Sequence, residues 1–269
     1  MKKLMFAAVL AASASVFAAE NGITSANIVG YTRMAVEQGV FEIIAAQFED
    51  MAGTTKLNSL ISGVEGVDFD SGLLFQKTAA QIQIPNGAGY ATYYYLNDAY
   101  YRDEAGNGVM KPGWADLGGN LVDIDVTPGV AMWFKCPTSV ATPTVAGAVS
   151  GDAQKSIDCP IGFALRANTY PIAITLNGTQ MTSADLVGVD FDYGLLFQKT
   201  AAQIQVPNGT GYTTYYYLND AYYRDEAGNG VMKPGWADMG GNLVEETIPA
   251  MQGFWTKGVS GAFTLTFNK

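Results

Sequence analysis

Residues 66–122 and 188–244 are nearly the same sequence, written twice at an offset of 122 positions. Only five of the 57 pairs differ: Ser71/Tyr193, Ile84/Val206, Ala88/Thr210, Ala91/Thr213 and Leu117/Met239. We call these two stretches the repeated block and the residues on either side of them the flanks. A tandem duplication explains the offset, and it predicts two homologous modules in one chain.

The flanks have diverged far more than the block. At the same offset, residues 41–65 match 163–187 at two pairs, and residues 123–135 match 245–257 at two more. The four retained pairs are Phe41/Phe163, Ala45/Ala167, Trp133/Trp255 and Lys135/Lys257. Uniform drift cannot produce so sharp a boundary. Either gene conversion recently overwrote the middle of the module, or both copies are held to one surface that performs one task twice.

The first 18 residues have the three parts of a secretory signal peptide. Lys2 and Lys3 are followed by an apolar stretch over residues 4–12, and residues 16–18 read V-F-A, a typical cleavage site. We expect cleavage after Ala18 and export of the mature chain. Since the residue directly after this point is not a cysteine and no later stretch is apolar for the roughly 20 residues that span a bilayer, we expect neither a lipid anchor nor membrane insertion. The predicted location is extracellular or at the cell surface, with the periplasm as an open alternative.

The repeat sets the predicted domain boundaries: signal peptide 1–18, β module 1 over 19–137, a linker or shared strand over 138–158, and β module 2 over 159–269. Short β-rich stretches recur between Gly and Pro turns, which is typical of a sandwich or barrel in each module. Residues 92–96 and 214–218 are predicted strands. The Asn97-Asp98 and Asn219-Asp220 pairs that follow them are predicted hairpin turns. Residues 182–186 are predicted to form a short helix.

The charge of the chain excludes some partners. Without Lys2 and Lys3 the chain carries 13 basic and 25 acidic residues, a net charge of −12. Binding to nucleic acid depends on Lys and Arg that neutralise phosphates, and anionic lipid surfaces repel an acidic protein in the same way. We therefore expect no nucleic-acid partner and no membrane-surface role.

Cys136 and Cys159 are the only cysteines of the chain. In an exported protein such a pair is typically a disulfide. The bridge would close the segment between the modules into a loop, which would stabilise the fold by about 3 kcal/mol in the chain-entropy model. Two separate buried thiols are the alternative.

A row of tyrosines is the most prominent local feature. Because side chains alternate faces along a strand, Tyr93 and Tyr95 share one face of the sheet. With their nearest aromatic neighbours they form the predicted interaction or ligand platform: Tyr93, Tyr95, Tyr101, Trp114, Tyr215, Tyr217, Tyr223 and Trp236. Exposed aromatic rings bind sugars by stacking on the apolar face of a pyranose. The alternative is that these rings fill a thin core and pair across strands.

Acidic residues offer two kinds of site. Asp68 and Asp70, with their copies Asp190 and Asp192, would lie about 6 to 7 Å apart on one strand face. Such a pair suits a glycosidase or a calcium ligand set, and a solvated strand edge is the alternative. The loop after the tyrosines supplies further oxygen ligands, although its spacing does not match an EF-hand. The predicted weak calcium ligands are Asp98, Asp103, Asn107, Asp220, Asp225 and Asn229.

Enzyme signatures are missing from the sequence. With no histidine, the chain cannot form a Ser-His-Asp or Cys-His pair or a histidine metal site. No nucleophile-elbow, P-loop or dinucleotide fingerprint occurs. We expect a protein that is not an enzyme and needs no cofactor, with calcium as the one ion left open.

Several short motifs resemble one group of proteins. They are S-A-N-I-V-G-Y at residues 25–31, the G-Y-x-T-Y-Y-Y segments, the G-W-A-D turns at 113–116 and 235–238, and the closing strands G-x-x-M-W-F and G-F-W. In these the chain resembles a loosely defined group of secreted bacterial tandem-repeat β proteins of unknown function. The resemblance implies an exported, β-rich repeat protein and assigns no catalytic residue. Ala131 and Ala250 replace glycines expected from that pattern, so the closing turns are expected to differ.

These features favour a structural role: a secreted, non-catalytic subunit of an extracellular coat, matrix or filament that associates with itself or with other surface components. Two near-identical faces on one chain make a bivalent unit, which can build extended assemblies. The second hypothesis is a bivalent glycan-binding protein whose two sites act together. A hydrolase built on Asp68 and Asp70 comes third.

Overall fold

The computed structural model describes residues 29–49, 55–87, 89–139, 141–209 and 211–269. The predicted signal peptide lies outside these residues. The predicted β class is confirmed, because the described chain contains eighteen strands and three helices of four residues each. No described helix is long and apolar enough to cross a membrane.

The chain divides into two compact units. The first unit ends at Gly151 and the second begins at Asp152, inside the predicted linker. Two short segments of the N-terminal half, Ile43–Ala45 and Pro128–Met132, belong to the second unit.

A five-stranded antiparallel sheet occurs twice, with the same strand order. The first sheet has the order β2-β7-β4-β5-β6. Its strands are β2 (Phe41–Ala45), β4 (Gln81–Asn86), β5 (Gly89–Arg102), β6 (Gly108–Ala115) and β7 (Ala131–Lys135). The second sheet has the order β10-β17-β13-β14-β15. Its strands are β10 (Gly162–Ala167), β13 (Gln203–Pro207), β14 (Tyr212–Arg224), β15 (Gly230–Ala237) and β17 (Gly253–Gly258).

A smaller three-stranded sheet also occurs twice. The first has the order β1-β8-β3, with β1 (Val29–Arg33), β3 (Ile61–Ser62) and β8 (Thr144–Ala148). The second has the order β12-β18-β9, with β9 (Gln154–Cys159), β12 (Met181–Ala184) and β18 (Phe263–Asn268). A two-stranded sheet joins β11 (Ile174–Thr175) to β16 (Thr247–Ile248). Residues 182–184, predicted to be helical, therefore form a strand, because β18 supplies a pairing partner that local propensity does not reveal.

The core of each unit lies between its two main sheets. In the first unit the Trp114 ring is fully buried, packs edge-on to Phe134 at 6.3 Å, and donates its indole N–H to the carbonyl of Ile61 in β3. In the second unit Trp236 packs against Phe263 of β18, also at 6.3 Å. One tryptophan thus links the large sheet to the small one in each unit, as in a sandwich.

The described helices are single turns: α1 (Leu57–Leu60), α2 (Phe75–Thr78) and α3 (Phe197–Thr200). The carboxylate of Asp70 accepts the backbone N–H groups of Leu74 and Phe75, and so satisfies the free donors at the start of α2. Asp192 does the same for α3.

The predicted disulfide is not formed. Both cysteines are free and buried, Cys136 in the first unit and Cys159 in the second. Each is held by its own unit: the Cys136 thiol lies 3.5 Å from the Ser139 hydroxyl, and Cys159 pairs with Phe263 in the register of β9 and β18. Burial raises the pKa of the Cys159 thiol, so this group stays protonated and unreactive.

Candidate functional site

The two tryptophans of the predicted platform are core residues. Trp114 is 0 % exposed and Trp236 is 2 % exposed. Each ring meets a tyrosine edge-on, Tyr95 at 5.2 Å in the first unit and Tyr217 at 5.3 Å in the second. The exposed-platform interpretation is therefore corrected for Trp114 and Trp236, because the small sheet covers the face on which they lie.

The tyrosines of the predicted platform are half-buried or buried. Tyr93, Tyr95 and Tyr101 are half-buried in the first unit, and in the second unit Tyr217 and Tyr223 are half-buried while Tyr215 is buried. These six tyrosines do not form a fully exposed row of rings, and Tyr95 and Tyr217 pair with core tryptophans.

The tyrosines between them on β5 and β14 face the other side. Tyr94 and Tyr216 are buried against Phe75 and Phe197 respectively, each in a T-shaped contact. Both sides of β5 therefore bury aromatic rings.

Asn97 and Asp98 lie inside β5 and not at a hairpin turn. The register of β5 with β6 shifts between Leu96 and Ala99, so the pair forms a β-bulge. Asn97 donates from its amide to the carbonyl of Gly66 and to Asp68, and Asp98 accepts the backbone N–H of Phe69. Asn219 and Asp220 repeat these contacts in the second unit. The bulge therefore anchors the start of the repeated block.

The hairpin turn lies further along the chain, at Asp103 and Asn107. Asp103 accepts hydrogen bonds from the backbone and side-chain N–H groups of Asn107, and these bonds lower the pKa of its carboxyl group. The pKa of Asp225 is lowered in the same way by Asn229. These acidic side chains serve the turn, and the described residues contain no group of three or more His, Cys, Asp or Glu that could hold a metal ion.

Asp68 and Asp70 do not form one paired site. The residues between Val67 and α2 are not in a strand, and the two carboxylates have different partners. Asp68 accepts from Asn97, whereas Asp70 caps α2. The same division holds for Asp190 and Asp192. Each carboxylate thus has a local structural partner.

Exposed apolar side chains distinguish the block from its flanks. Five pairs of large apolar residues are exposed in both copies of the block: Leu73/Leu195, Leu74/Leu196, Tyr90/Tyr212, Met110/Met232 and Leu117/Met239. In the described flanks, four exposed apolar residues have no large apolar counterpart at the same offset: Tyr31, Val40, Ile161 and Val187. Exposed apolar residues have therefore been retained in the block and lost in most of the flanks.

The di-leucine turn carries backbone strain. Leu73 has φ 61° and Leu195 has φ 62°, a left-handed conformation that costs a non-glycine residue about 1–2 kcal/mol. The turn leaves the next residue strongly exposed, Leu74 at 65 % and Leu196 at 66 %. The sequence signal for this turn is the G-L-L run that directly precedes a helix in both copies.

The di-leucine turn is packed against a second loop that also carries an exposed apolar residue. The Phe69 ring lies 5.4 Å from the Phe75 ring at the start of α2 and against the backbone of Gly119. Leu117 lies two residues before Gly119 and is exposed. Leu74 and Leu117 thus lie on neighbouring loops of one end of the first unit, and Leu196 and Met239 lie on the matching loops of the second.

A second surface involves the residues that the flanks retain. Phe41 on β2 and Trp133 on β7 are in T-shaped contact at 6.2 Å, and the ammonium of Lys135 lies 5.0 Å from the centre of the Phe41 ring. Phe163, Trp255 and Lys257 repeat this arrangement with distances of 6.2 and 5.2 Å. We call each set the Phe-Trp-Lys cluster. Matches across the repeat identified these residues in the sequence, but nothing indicated that they would meet.

One open depression of the described surface includes two residues of the predicted platform. The more open of two small depressions has a volume of about 270 Å³ and lies in the second unit, where Tyr217, Lys233 and Trp236 contribute to its lining. Typical small-molecule pockets hold roughly 300–1,000 Å³. This depression is therefore slightly smaller than a typical small-molecule pocket.

Comparison with protein-family models, with curated proteins and with solved structures finds no match to this chain. The resemblance to secreted tandem-repeat β proteins stays a prediction.

Proposed function

We propose that this chain is a secreted, non-catalytic structural protein that self-associates into an extracellular coat, matrix or filament. The observation that carries the proposal is the retention of exposed apolar residues. Six positions of the block expose a large apolar side chain in at least one copy, and five of them stay apolar in both copies, including Leu117/Met239; Ser71/Tyr193 is the exception.

The backbone strain at the exposed leucines supports this interpretation. Single exposed apolar residues are common on protein surfaces, so exposure alone means little. The di-leucine turn, however, combines exposure with a strained backbone at Leu73 and Leu195, and strain of this kind persists where a function requires it. Association that buried Leu74 or Leu196 would recover about 25 cal/mol for each Å² of apolar surface removed from water.

Two copies of one surface on one chain explain why a structural role is favoured. A subunit with two equivalent contact surfaces can link to two neighbours, and a heterologous contact that does not close gives an extended assembly. The proposed partner is therefore another copy of the same chain, or a surface component that carries a matching apolar patch.

The test compares two double variants that differ in the region changed. Leu74→Ser with Leu196→Ser alters the block, whereas Ile161→Ser with Val187→Ser alters two flank residues that are 67 % and 70 % exposed. Sedimentation velocity and negative-stain microscopy of the mature protein should show assemblies for the wild type and the flank variant, and monomers for the block variant. Equal assembly of both variants, or equal loss, would contradict the proposal.

A further inference from the structure

The Phe-Trp-Lys cluster is the exception to the loss of exposed apolar residues in the flanks. Phe41 and Phe163 are the one pair of exposed apolar residues that the described flanks retain at the repeat offset. Their contact partners, Trp133/Trp255 and Lys135/Lys257, are also among the four retained pairs. The fourth pair, Ala45/Ala167, is fully buried. Apart from Thr142/Thr264 and Thr144/Thr266, the surface residues that the described flanks retain therefore all belong to this cluster.

The cluster continues into the repeated block. In the first five-stranded sheet, Trp133 of β7 is in register with Gln83 of β4, which is in register with Thr92 of β5. In the second sheet the same row is Trp255, Gln205 and Thr214. With adjacent strands about 4.8 Å apart, each row is about 10 Å long. A flank residue and two block residues thus form one surface in both units.

These rows lie on the outer face of the sheet. The neighbouring row, Phe134, Ile82 and Tyr93, points to the opposite face, where Phe134 and Ile82 are 0 % exposed. Trp133, Gln83 and Thr92 are half-buried, and so are their three counterparts. Tyr90 and Tyr212, two residues before the threonines on the same face, are exposed. Beside the part of this face where Phe75 covers Tyr94, the outer face therefore offers aromatic, amide and hydroxyl groups to solvent.

Lys135 and Lys257 lie on these outer faces, although the chain as a whole is acidic. The chain has 25 acidic and 15 basic residues, yet neither Lys135 nor Lys257 forms an ion pair with any described residue. The ammonium lies over a phenylalanine ring, which orients it without neutralising its charge. A ligand with an anionic group would complement this lysine.

We propose that each outer face binds a saccharide chain that carries carboxylates, that is, a uronic-acid glycan. The aromatic rings would stack on the apolar face of a pyranose, and the glutamine and threonine would hydrogen-bond to its hydroxyls. The lysine would pair with the uronate carboxylate. Two such faces on one chain would bind a polymer with avidity. This activity is separate from self-association, because it uses the sheet face and not the di-leucine turn.

The repeat supplies a matched control for the lysines. Lys111 lies 4.3 Å from the centre of the Tyr101 ring, and Lys233 lies 4.5 Å from that of Tyr223, so this pair is also repeated and also covers aromatic rings. Lys135→Gln with Lys257→Gln, and Lys111→Gln with Lys233→Gln, change the net charge equally. Any difference between the two double variants therefore reports position and not charge.

The experiment is affinity electrophoresis of the mature protein in gels that contain polygalacturonate, alginate or neutral dextran. We expect retardation by at least one polyuronate and none by dextran. The Lys135/Lys257 variant should bind at least tenfold more weakly, and the Lys111/Lys233 variant within threefold of wild type. With a short oligouronate, calorimetry should give two sites for wild type and one for the single variant Lys135→Gln.

Three outcomes would overturn the inference. Wild type could fail to bind either polyuronate, it could bind dextran equally well, or both lysine variants could lose affinity to the same degree. The first outcome would leave the cluster as a contact that stabilises the sheet edge. Since the Leu74→Ser/Leu196→Ser variant should still bind a polyuronate, failure of self-association and failure of glycan binding are distinguishable.

Discussion

The repeated block and its flanks build the same architecture in both units by different means. Inside the block the contacts recur almost unchanged: the Asn97–Asp68 and Asn219–Asp190 hydrogen bonds are both 3.0 Å long. The flanks share few residues, yet in both units they supply two adjacent strands at one edge of the large sheet, β2 and β7 in the first unit and β10 and β17 in the second. The fold therefore tolerates extensive change in the sequence of two of the five strands of each large sheet.

One flank contact shows how the fold is maintained without sequence identity. The Asn58 amide donates to the carbonyls of Trp114 and Val122 and accepts the N–H of Trp114. In the second unit Asn177 makes the same three bonds to Trp236 and Val244. The tryptophans are 122 positions apart, but the asparagines are only 119 apart. The interaction has been retained while the residue that makes it has moved along the chain.

This comparison limits what can explain the near-identity of the block. The flanks preserve the fold although few of their residues match. Folding alone therefore does not require that the two copies of the block differ at only five of 57 pairs. A shared contact surface accounts for the retention of the exposed residues, and gene conversion is the rival explanation. The predictions below test how equivalent the two units are.

The largest effect is expected at Asn58 and Asn177, which together we call the asparagine clip. Asn58→Ala leaves one N–H and two carbonyl groups without their partner, at a cost of about 2 kcal/mol in the free energy of unfolding. Asn177→Ala should cost about 3 kcal/mol, since Asn177 has φ 63° and alanine tolerates that conformation poorly. Urea unfolding followed by circular dichroism measures both.

Gln180→Ala is the control for the clip. Gln180 is the residue that the repeat offset aligns with Asn58, but it does not take over the three bonds, so its replacement should change the free energy of unfolding by less than about 0.5 kcal/mol. If Gln180→Ala were as destabilising as Asn177→Ala, the two asparagines would not be equivalent.

Only some parts of the fold could be predicted from the sequence. The β class and the strands at 92–96 and 214–218 follow from local composition, and the structure confirms them. The bulge at Asn97 and Asp98 does not follow, because its position depends on the pairing of Leu96 with Gly113 and of Ala99 with Lys111. Local turn propensity carries no information about a partner strand.

The candidate sites were harder to predict for a related reason. Alternation along β5 places Tyr93 and Tyr95 on one face, but it does not show which face the small sheet covers. The sequence leaves open whether Trp114 belongs to an exposed platform or to a core, and the structure shows that it is buried. The Phe-Trp-Lys cluster joins residues 92 positions apart, Phe41 and Trp133, so only the matches between the repeats pointed to them.

A smaller, pH-dependent effect is expected at Tyr215. Burial, and next a hydrogen bond to Glu246, raise the pKa of Tyr215 to about 12 from 10.0. The folded state thus binds this proton more tightly than the unfolded state does. The contribution of Tyr215 to the free energy of unfolding is complete below pH 10. It is lost as the pH rises toward 12, so the folded state becomes less stable across this window.

Glu246 comes from the flank, and the residue at the same offset in the first unit is Ile124. Glu246→Gln should therefore lower the pKa of Tyr215 without altering the first unit. Ultraviolet difference titration, with Tyr215→Phe to assign the signal, measures the shift. An unchanged titration in Glu246→Gln would show that burial alone raises the pKa.

The smallest effect is expected at Ser71 and Tyr193, the one pair in the block that differs greatly in size. Both residues are exposed, Tyr193 at 94 %, as expected for a position outside the shared contact surface. Tyr193 touches the Phe191 ring edge-on at 5.1 Å, but a pair so open to water adds little to stability. Tyr193→Ser should change the free energy of unfolding by less than about 0.5 kcal/mol and leave assembly intact.

The converse variant, Ser71→Tyr, makes this pair a test of the rival explanations. If the block is a contact surface, Tyr193→Ser and Ser71→Tyr should leave the assemblies seen in sedimentation velocity unchanged, whereas Leu74→Ser/Leu196→Ser should abolish assembly. Gene conversion copies the block whatever its residues do, so this explanation predicts that all of these variants assemble to the same extent. A loss of assembly in Tyr193→Ser alone would instead place the contact on the second unit, at a residue that the first unit lacks. The two units would then differ in function despite their common block.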